Sequence, residues 1–145
     1  MSTDRTARVT WRGSLTDGSG TIESVGSGAF GPLDVTWASR AEDPDGRTSP
    51  EELIAAAHAS CFSMALSAGL AKAGSPPEGL ETQATVTFVP GTGITKSALS
   101  VRGWVPGMDE AAFREAAETA KENCPVSKAL AAVPEITLNA TLEAA

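Results

Sequence analysis

A long stretch that is nearly free of charge, residues 49–73, constrains the fold of this chain most strongly. Ser49 is a favourable helix N-cap, Pro50 takes the first helical position, and Glu52 follows the cap by three residues, as in a capping box. Beyond Glu52, Lys72 is the only charged residue in the stretch. Because small and apolar residues cover every face, we predict one long central helix that is buried on all sides.

The size of the chain suggests that this helix needs a second subunit. The 145 residues suit a single domain over 1–145, or half of an intertwined pair. So short a chain offers few residues to cover a helix on all sides, and we therefore expect a partner subunit.

Charge and composition exclude several classes of function. The net charge of −7 argues against binding to nucleic acid or to anionic membrane surfaces. The first residues lack the apolar core of a signal peptide, and no uninterrupted apolar run approaches about 18 residues. These features lead us to expect a cytoplasmic protein.

The remaining pattern predicts an α+β fold. Strands are predicted at residues 7–11, 21–25 and 33–39 before the central helix, and a hairpin at 81–89 and 95–105 after it. A helix at 110–122, capped by Asp109, a short helix at 126–132 and a last strand at 135–142 complete the chain. The predicted order is therefore βββ-α-ββ-α-α-β.

The two cysteines, Cys61 and Cys124, are the strongest candidates for chemistry. Two cysteines and one histidine are too few for a convincing zinc site, so we expect no metal and no cofactor. A permanent structural disulfide is unusual in a reducing compartment, which favours a transient disulfide if the two thiols meet.

The two thiols differ in local surroundings. Cys124 precedes Pro125 at a predicted helix start, where free N–H groups favour an anion. Cys61 lies in the middle of a helix whose N–H groups are already bonded, so its thiolate would need a cation brought by the tertiary structure. His58 lies on the same helix face, but a lone buried histidine is more often a hydrogen-bonded core residue than a catalytic base.

Two motifs resemble the OsmC/Ohr family, the osmotically induced protein C and organic hydroperoxide resistance proteins. The first is T-S-P-E-E-L-I-A-A-A-H-A-S-C-F-S-M-A-L at residues 48–66, and the second is C-P-V-S at residues 124–127. Shorter similarities, such as W-R-G at 11–13 and E-I-T-L at 135–138, extend over nearly the whole chain. His58 and the Ser63–Met64 pair favour the OsmC branch.

The resemblance implies an OsmC-like fold, an intertwined homodimer and a thiol-dependent peroxidase that reduces organic hydroperoxides to alcohols. Cys61 matches the peroxidatic cysteine, which becomes a sulfenic acid, and Cys124 matches the resolving cysteine, which closes a disulfide. Glu51 matches the acidic residue that holds the reactive thiolate together with an arginine, whereas Glu52 is occupied by the helix cap. By the same resemblance, a small dithiol such as dihydrolipoamide restores the enzyme.

Three arginines are candidates for the partner of Glu51. The Ohr branch suggests Arg12 and the OsmC branch suggests Arg40, while Arg47 also precedes the helix. We favour Arg40, because residues 35–40 fit the OsmC pattern. Cys61 lies ten residues, about 15 Å, beyond Glu51 on a straight helix, so we expect two antiparallel helices to bring one subunit's Glu51 toward the other's Cys61.

Apolar side chains are expected to line the substrate site, with Phe62, Met64, Leu66 and Trp37 as candidates. The alternative function is a non-catalytic redox sensor or small-molecule-binding protein on the same fold. Under that alternative Cys61 packs inertly, Cys124 is a passive cap and Glu51 only complements the helix dipole.

Overall fold

The computed structural model describes residues 1–143, and the chain divides into two compact units, Met1–Leu53 and Ile54–Ala145. In the first unit, strands β1 (Ala7–Arg12), β2 (Ser19–Val25) and β3 (Leu33–Val35) form an antiparallel sheet in that order. Strands β1 and β2 match the predicted strands at residues 7–11 and 21–25 to within two residues.

The third strand is shorter than predicted, because a helix begins inside the segment assigned to it. Helix α1 (Trp37–Ala41) starts at Thr36, whose hydroxyl accepts a hydrogen bond from the Ser39 N–H at 2.9 Å. The Ser39 hydroxyl accepts in return from the Thr36 N–H at 2.9 Å, which completes a capping box. The prediction of a strand through residue 39 is therefore wrong, and the observed order is βββ-α-α-ββ-α-α-β.

Helix α2 (Pro50–Lys72) is the predicted central helix and begins at the predicted cap. The Ser49 hydroxyl accepts a hydrogen bond from the Glu52 N–H at 3.2 Å. The Glu52 carboxylate accepts from the Thr48 hydroxyl at 2.8 Å. Only the Ser49 half of the predicted box is therefore observed, because the Glu52 side chain bonds the Thr48 hydroxyl where a capping box has it accept from the Ser49 N–H.

The prediction that α2 is buried on all sides is wrong for the single chain. Its fully buried apolar side chains, Phe62, Leu66 and Leu70, follow a stripe at four-residue spacing, while Met64 is 72% exposed. By length and hydropathy alone α2 could cross a membrane, although its buried stripe packs into a protein core. One chain covers only one face of this apolar helix.

The second unit packs α2 and two further helices with a mixed sheet. Strands β4 (Gly79–Val89) and β5 (Gly93–Trp104) form the predicted hairpin, and β6 (Glu135–Leu142) pairs with β5 in parallel. Such a parallel pair needs a crossover, which α3 (Glu110–Asn123) and α4 (Pro125–Ala129) supply. Helix α4 ends three residues earlier than predicted. The core of this unit consists of Phe62, Leu66, Leu70, Leu99, Val101, Val105, Phe113, Ala117, Ala120, Cys124 and Ala140.

Candidate active site

The two cysteines meet in the second unit. Both are free thiols, and they lie close enough for each to shift the pKa of the other. Cys61, on α2, is partly exposed, whereas Cys124 is completely buried between α3 and α4. A dissolved molecule can therefore reach the sulfur of Cys61 more readily than that of Cys124.

Local structure around Cys124 explains why its sulfur receives several hydrogen bonds. Cys124 ends α3 and caps α4, which begins at Pro125. As the capping side chain, its sulfur lies 3.3 Å from both the backbone nitrogen and the hydroxyl of Ser127. The backbone N–H of Val126 also acts on this sulfur and lowers the pKa of Cys124.

These contacts shift the two thiol pKa values in opposite directions. Burial would raise the pKa of Cys124, but the hydrogen bonds from Ser127, Cys61 and Val126 outweigh burial and lower it. The pKa of Cys61 is raised, first by burial and then by its contact with Cys124, and the Val126 N–H offsets only part of this effect. Within one chain Cys124 is therefore the preferred thiolate, as the local sequence favours.

His58 is a completely buried residue that bridges two serines. Its Nδ1 lies 2.7 Å from the Ser97 hydroxyl, and its Nε2 lies 2.8 Å from the Ser127 hydroxyl. Burial lowers the pKa of His58 and favours the neutral ring. The expectation of a hydrogen-bonded core histidine is thereby confirmed.

Ser97 and Ser127, the two hydrogen-bond partners of His58, are not among the site residues predicted from the sequence. Ser127 follows the Cys124 cap by three residues, which is the spacing of a capping contact and could have signalled the interaction. Ser97 lies on β5, 39 residues from His58 in sequence, and no local pattern marks it.

Arg40 and Glu51 form an ion pair within the first unit. The Arg40 Nε donates to the two Glu51 carboxylate oxygens at 2.5 and 3.1 Å. Glu51 is only 5% exposed, and the pair joins α1 to the first turn of α2. Of the other two candidates, Arg47 contacts Asp45 and Arg12 lies exposed at the end of β1.

The predicted apolar lining is only partly available to a substrate. Phe62 and Leu66 are completely buried in the core of the second unit, because they belong to the inward stripe of α2. Met64 is exposed, and Trp37 begins α1 in the first unit. Across residues 1–143, no group of three or more His, Cys, Asp or Glu side chains could hold a metal ion.

Similarity to known proteins decides the family. The family described as OsmC-like protein matches residues 43–139. The chain is 41% identical over 146 residues to Peroxiredoxin OsmC of Escherichia coli (strain K12), with 99% of each chain covered. It belongs to the OsmC family. This relationship confirms the expected class of enzyme, a cysteine-based peroxidase.

Solved structures of OsmC-family proteins share the fold. The organic hydroperoxide resistance protein OhrB of Bacillus subtilis matches with a TM-score of 0.61 at 26% identity, covering 95% of this chain and 98% of that one. An OsmC-like protein of unknown function from Vibrio cholerae matches with a TM-score of 0.71 at 19% identity, covering 96% and 99%. The α+β OsmC-like fold expected from the sequence is therefore confirmed.

Proposed function

We propose that this OsmC-family protein reduces organic hydroperoxides to alcohols through a disulfide cycle between Cys61 and Cys124. The observation that carries the proposal is the proximity of the two free thiols, each of which shifts the pKa of the other. Exposure supports the division of roles, because Cys61 is partly exposed and Cys124 is completely buried.

The cycle begins with the Cys61 thiolate, which attacks the terminal peroxide oxygen. The O–O bond breaks, Cys61 becomes a sulfenic acid, and the alkoxide takes a proton to leave as the alcohol. The Cys124 thiolate then attacks the Cys61 sulfur and displaces hydroxide, which is protonated to water. Because the O–O bond is weak and a thiolate is a strong nucleophile, these steps require no metal and no organic cofactor.

The thiolate of Cys61 needs help that its own helix does not supply. Its pKa is raised within the single chain, chiefly by burial. We assign this help to Arg40, whose guanidinium is held by the nearly buried Glu51. A nearby guanidinium would stabilise both the Cys61 thiolate and the departing oxygen of the peroxide.

We further propose that Arg40 and Glu51 reach Cys61 from the second copy of a homodimer. The exposed apolar face of α2, which includes Met64, supports a partner helix on that side. In a two-fold symmetric dimer each site would then combine thiols from one chain with an ion pair from the other. A small dithiol such as dihydrolipoamide would reduce the disulfide, and the cytoplasm is the compartment we expect.

Peroxide treatment with mass analysis tests the cycle. One equivalent of cumene hydroperoxide should remove two hydrogens from the wild-type chain and link Cys61 to Cys124 in the peptide map. Cys124→Ser should instead accumulate a sulfenic acid on Cys61, and Cys61→Ser should lose turnover with dihydrolipoamide. Ser63→Ala, on the same helix, is the matched control and should keep turnover. Unmodified thiols after peroxide would favour the non-catalytic binding protein.

Mixed dimers test whether the site is shared. Cys61→Ser and Arg40→Met are each expected to be inactive alone. Coexpressed at equal levels, about half of the dimers should be heterodimers, in which one of two sites has an intact Cys61 and an intact Arg40. The mixture should therefore regain roughly a quarter of wild-type activity per chain. No recovery in verified heterodimers would refute the shared site, while leaving the disulfide cycle itself intact.

A further inference from the structure

A buried line of hydrogen bonds runs from β5 through α2 to the sulfur of Cys124, and the proposed cycle does not use it. Ser97 contacts Nδ1 of His58 at 2.7 Å, Nε2 of His58 contacts Ser127 at 2.8 Å, and Ser127 contacts Cys124 at 3.3 Å. Ser97, His58 and Cys124 are completely buried, and Ser127 nearly so. A buried polar line of this kind is stable only when each member is hydrogen-bonded.

The direction of these hydrogen bonds follows from the partners available. Within residues 1–143, the ring of His58 is the one hydrogen-bond partner of the Ser97 hydroxyl. If Ser97 accepted a proton from the ring, its own hydroxyl hydrogen would lack an acceptor. The Ser97 hydroxyl therefore donates to Nδ1 of His58, and the neutral ring carries its proton on Nε2.

The fixed ring orients the next hydroxyl. Nε2–H of His58 donates to the Ser127 oxygen, so the hydrogen of the Ser127 hydroxyl is left to point at the Cys124 sulfur. The backbone N–H of Ser127 points at the same sulfur from 3.3 Å. Cys61 is the titratable group in contact with that sulfur, and His58 is the next one along the line. Two donors on one sulfur favour its thiolate form.

We propose that Ser97 and His58 are positioning residues that hold the Ser127 hydroxyl as a donor to Cys124, and that this fixes the direction of disulfide reduction. The proposal rests on the disulfide cycle above. The incoming dithiol attacks the exposed partner, Cys61, and Cys124 is the leaving group. A thiol that is better stabilised as the thiolate leaves faster, and the sulfur of Cys124 is shielded from direct attack.

The reduction balances in two steps. A thiolate of the dithiol forms a bond to the Cys61 sulfur, the Cys61–Cys124 bond breaks, and its electron pair remains on Cys124. The second thiol of the reductant then loses its proton and attacks the reductant's other sulfur, the one bonded to Cys61. This step releases Cys61 and leaves the reductant as a cyclic disulfide. Two electrons pass from the dithiol to the protein, and the two protons are divided between Cys61 and the solvent.

Titrating Cys124 in protein that lacks Cys61 tests the hydrogen-bond line without using peroxide. In full-length Cys61→Ala protein, the ultraviolet absorbance of the thiolate reports the pKa of Cys124 directly. Adding Ser127→Ala should raise that pKa, and adding Ser97→Ala should raise it in the same direction by a smaller amount. Adding Ser63→Ala, which removes a hydroxyl outside the line, should leave it unchanged.

The Ser97→Ala result is decisive for the positioning role. It removes one hydroxyl, so it is a milder change than replacing the buried His58, and circular dichroism would verify its fold. An unchanged Cys124 pKa in folded Ser97→Ala protein would overturn the proposed role of Ser97 and His58. An equal shift of the Cys124 pKa in the Ser97→Ala and Ser63→Ala proteins would overturn it as well, because the effect would then not be specific to the hydrogen-bond line.

The direction of reduction is tested on a disulfide made with diamide, so that it does not depend on peroxide turnover. Dithiothreitol should reduce the Ser127→Ala disulfide roughly three- to tenfold more slowly than the wild-type disulfide. Glutathione should give a mixed disulfide that maps to Cys61. The assigned direction would be refuted by a glutathione adduct on Cys124, by equal reduction rates for the wild-type and Ser127→Ala disulfides, or by failure of diamide to form the disulfide. If diamide links the thiols but peroxide does not, the proposed peroxidase fails and the assigned direction stands.

Discussion

Because His58 is buried, we predict that the free energy of unfolding falls in mild acid. The ordinary pKa of this histidine is 6.5, and burial lowers it in the folded chain. Around and below pH 6.5 the ring of this histidine therefore binds more protons in the unfolded chain than in the folded chain. Stability is fully present above the unfolded pKa and decreases as the pH falls toward the folded value.

The size of the effect follows from the single histidine in the sequence. If the folded ring stays neutral, protonation favours the unfolded chain by about 0.2 kcal/mol at pH 7 and about 1.4 kcal/mol at pH 5.5. The free energy of unfolding should thus fall by up to about 1.2 kcal/mol over this range. With a urea dependence of about 2 kcal/mol per molar, the midpoint should move by roughly 0.6 M.

Urea unfolding followed by tryptophan fluorescence at pH 7.0, 6.5, 6.0 and 5.5 would measure this loss, at one fixed protein concentration. His58→Gln keeps an amide that can bond Ser127 and cannot titrate, so its midpoint should change less over the same range. Parallel curves for wild type and variant would refute the assignment. If the variant fails to fold, the NMR titration of the single imidazole replaces it, and a folded-state ionisation near pH 6.5 would contradict the prediction.

Two further predictions concern the second unit. Gly103→Ala should cost about 1–3 kcal/mol in urea unfolding, because a Cβ at this position of β5 would collide with the Phe113 ring. Gly79→Ala, on the neighbouring strand and with its nearest atom at 3.6 Å, should change stability by less than about 0.5 kcal/mol; equal effects would contradict this account. Asp109→Ala should cost about 1 kcal/mol, because its carboxylate accepts from the Ala112 N–H at 2.8 Å. Asp109→Asn should be nearly neutral in thermal unfolding, and a similar loss in both variants would rule out the cap as the cause.

Most elements could be predicted because their signals are local. The start of α2 depends on Ser49 and Pro50, and the hairpin of β4 and β5 depends on alternation on either side of a turn. The failure at residues 36–39 has a local cause too. Alternation favoured a strand there, but the reciprocal hydrogen bonds between Thr36 and Ser39 begin a helix.

Burial of α2 was predicted less well, because the residues that cover a helix are distant in sequence. A uniformly apolar helix has no polar face to mark the side that stays open. The structure shows that one chain covers the stripe through Phe62, Leu66 and Leu70 and leaves Met64 exposed. Which faces are covered depends on packing within the chain and, as we propose, on a second copy.

The sequence by itself determined the family, the fold class, the two thiols and the Arg40–Glu51 pair as the favoured candidates. Motifs and caps lie within a few residues of one another, so their chemistry can be interpreted along the chain. Only the tertiary structure brought Ser97, His58 and Ser127 into one line behind Cys124. Those contacts join residues 39 and 69 positions apart, and no local periodicity specifies a hydrogen bond across such a separation.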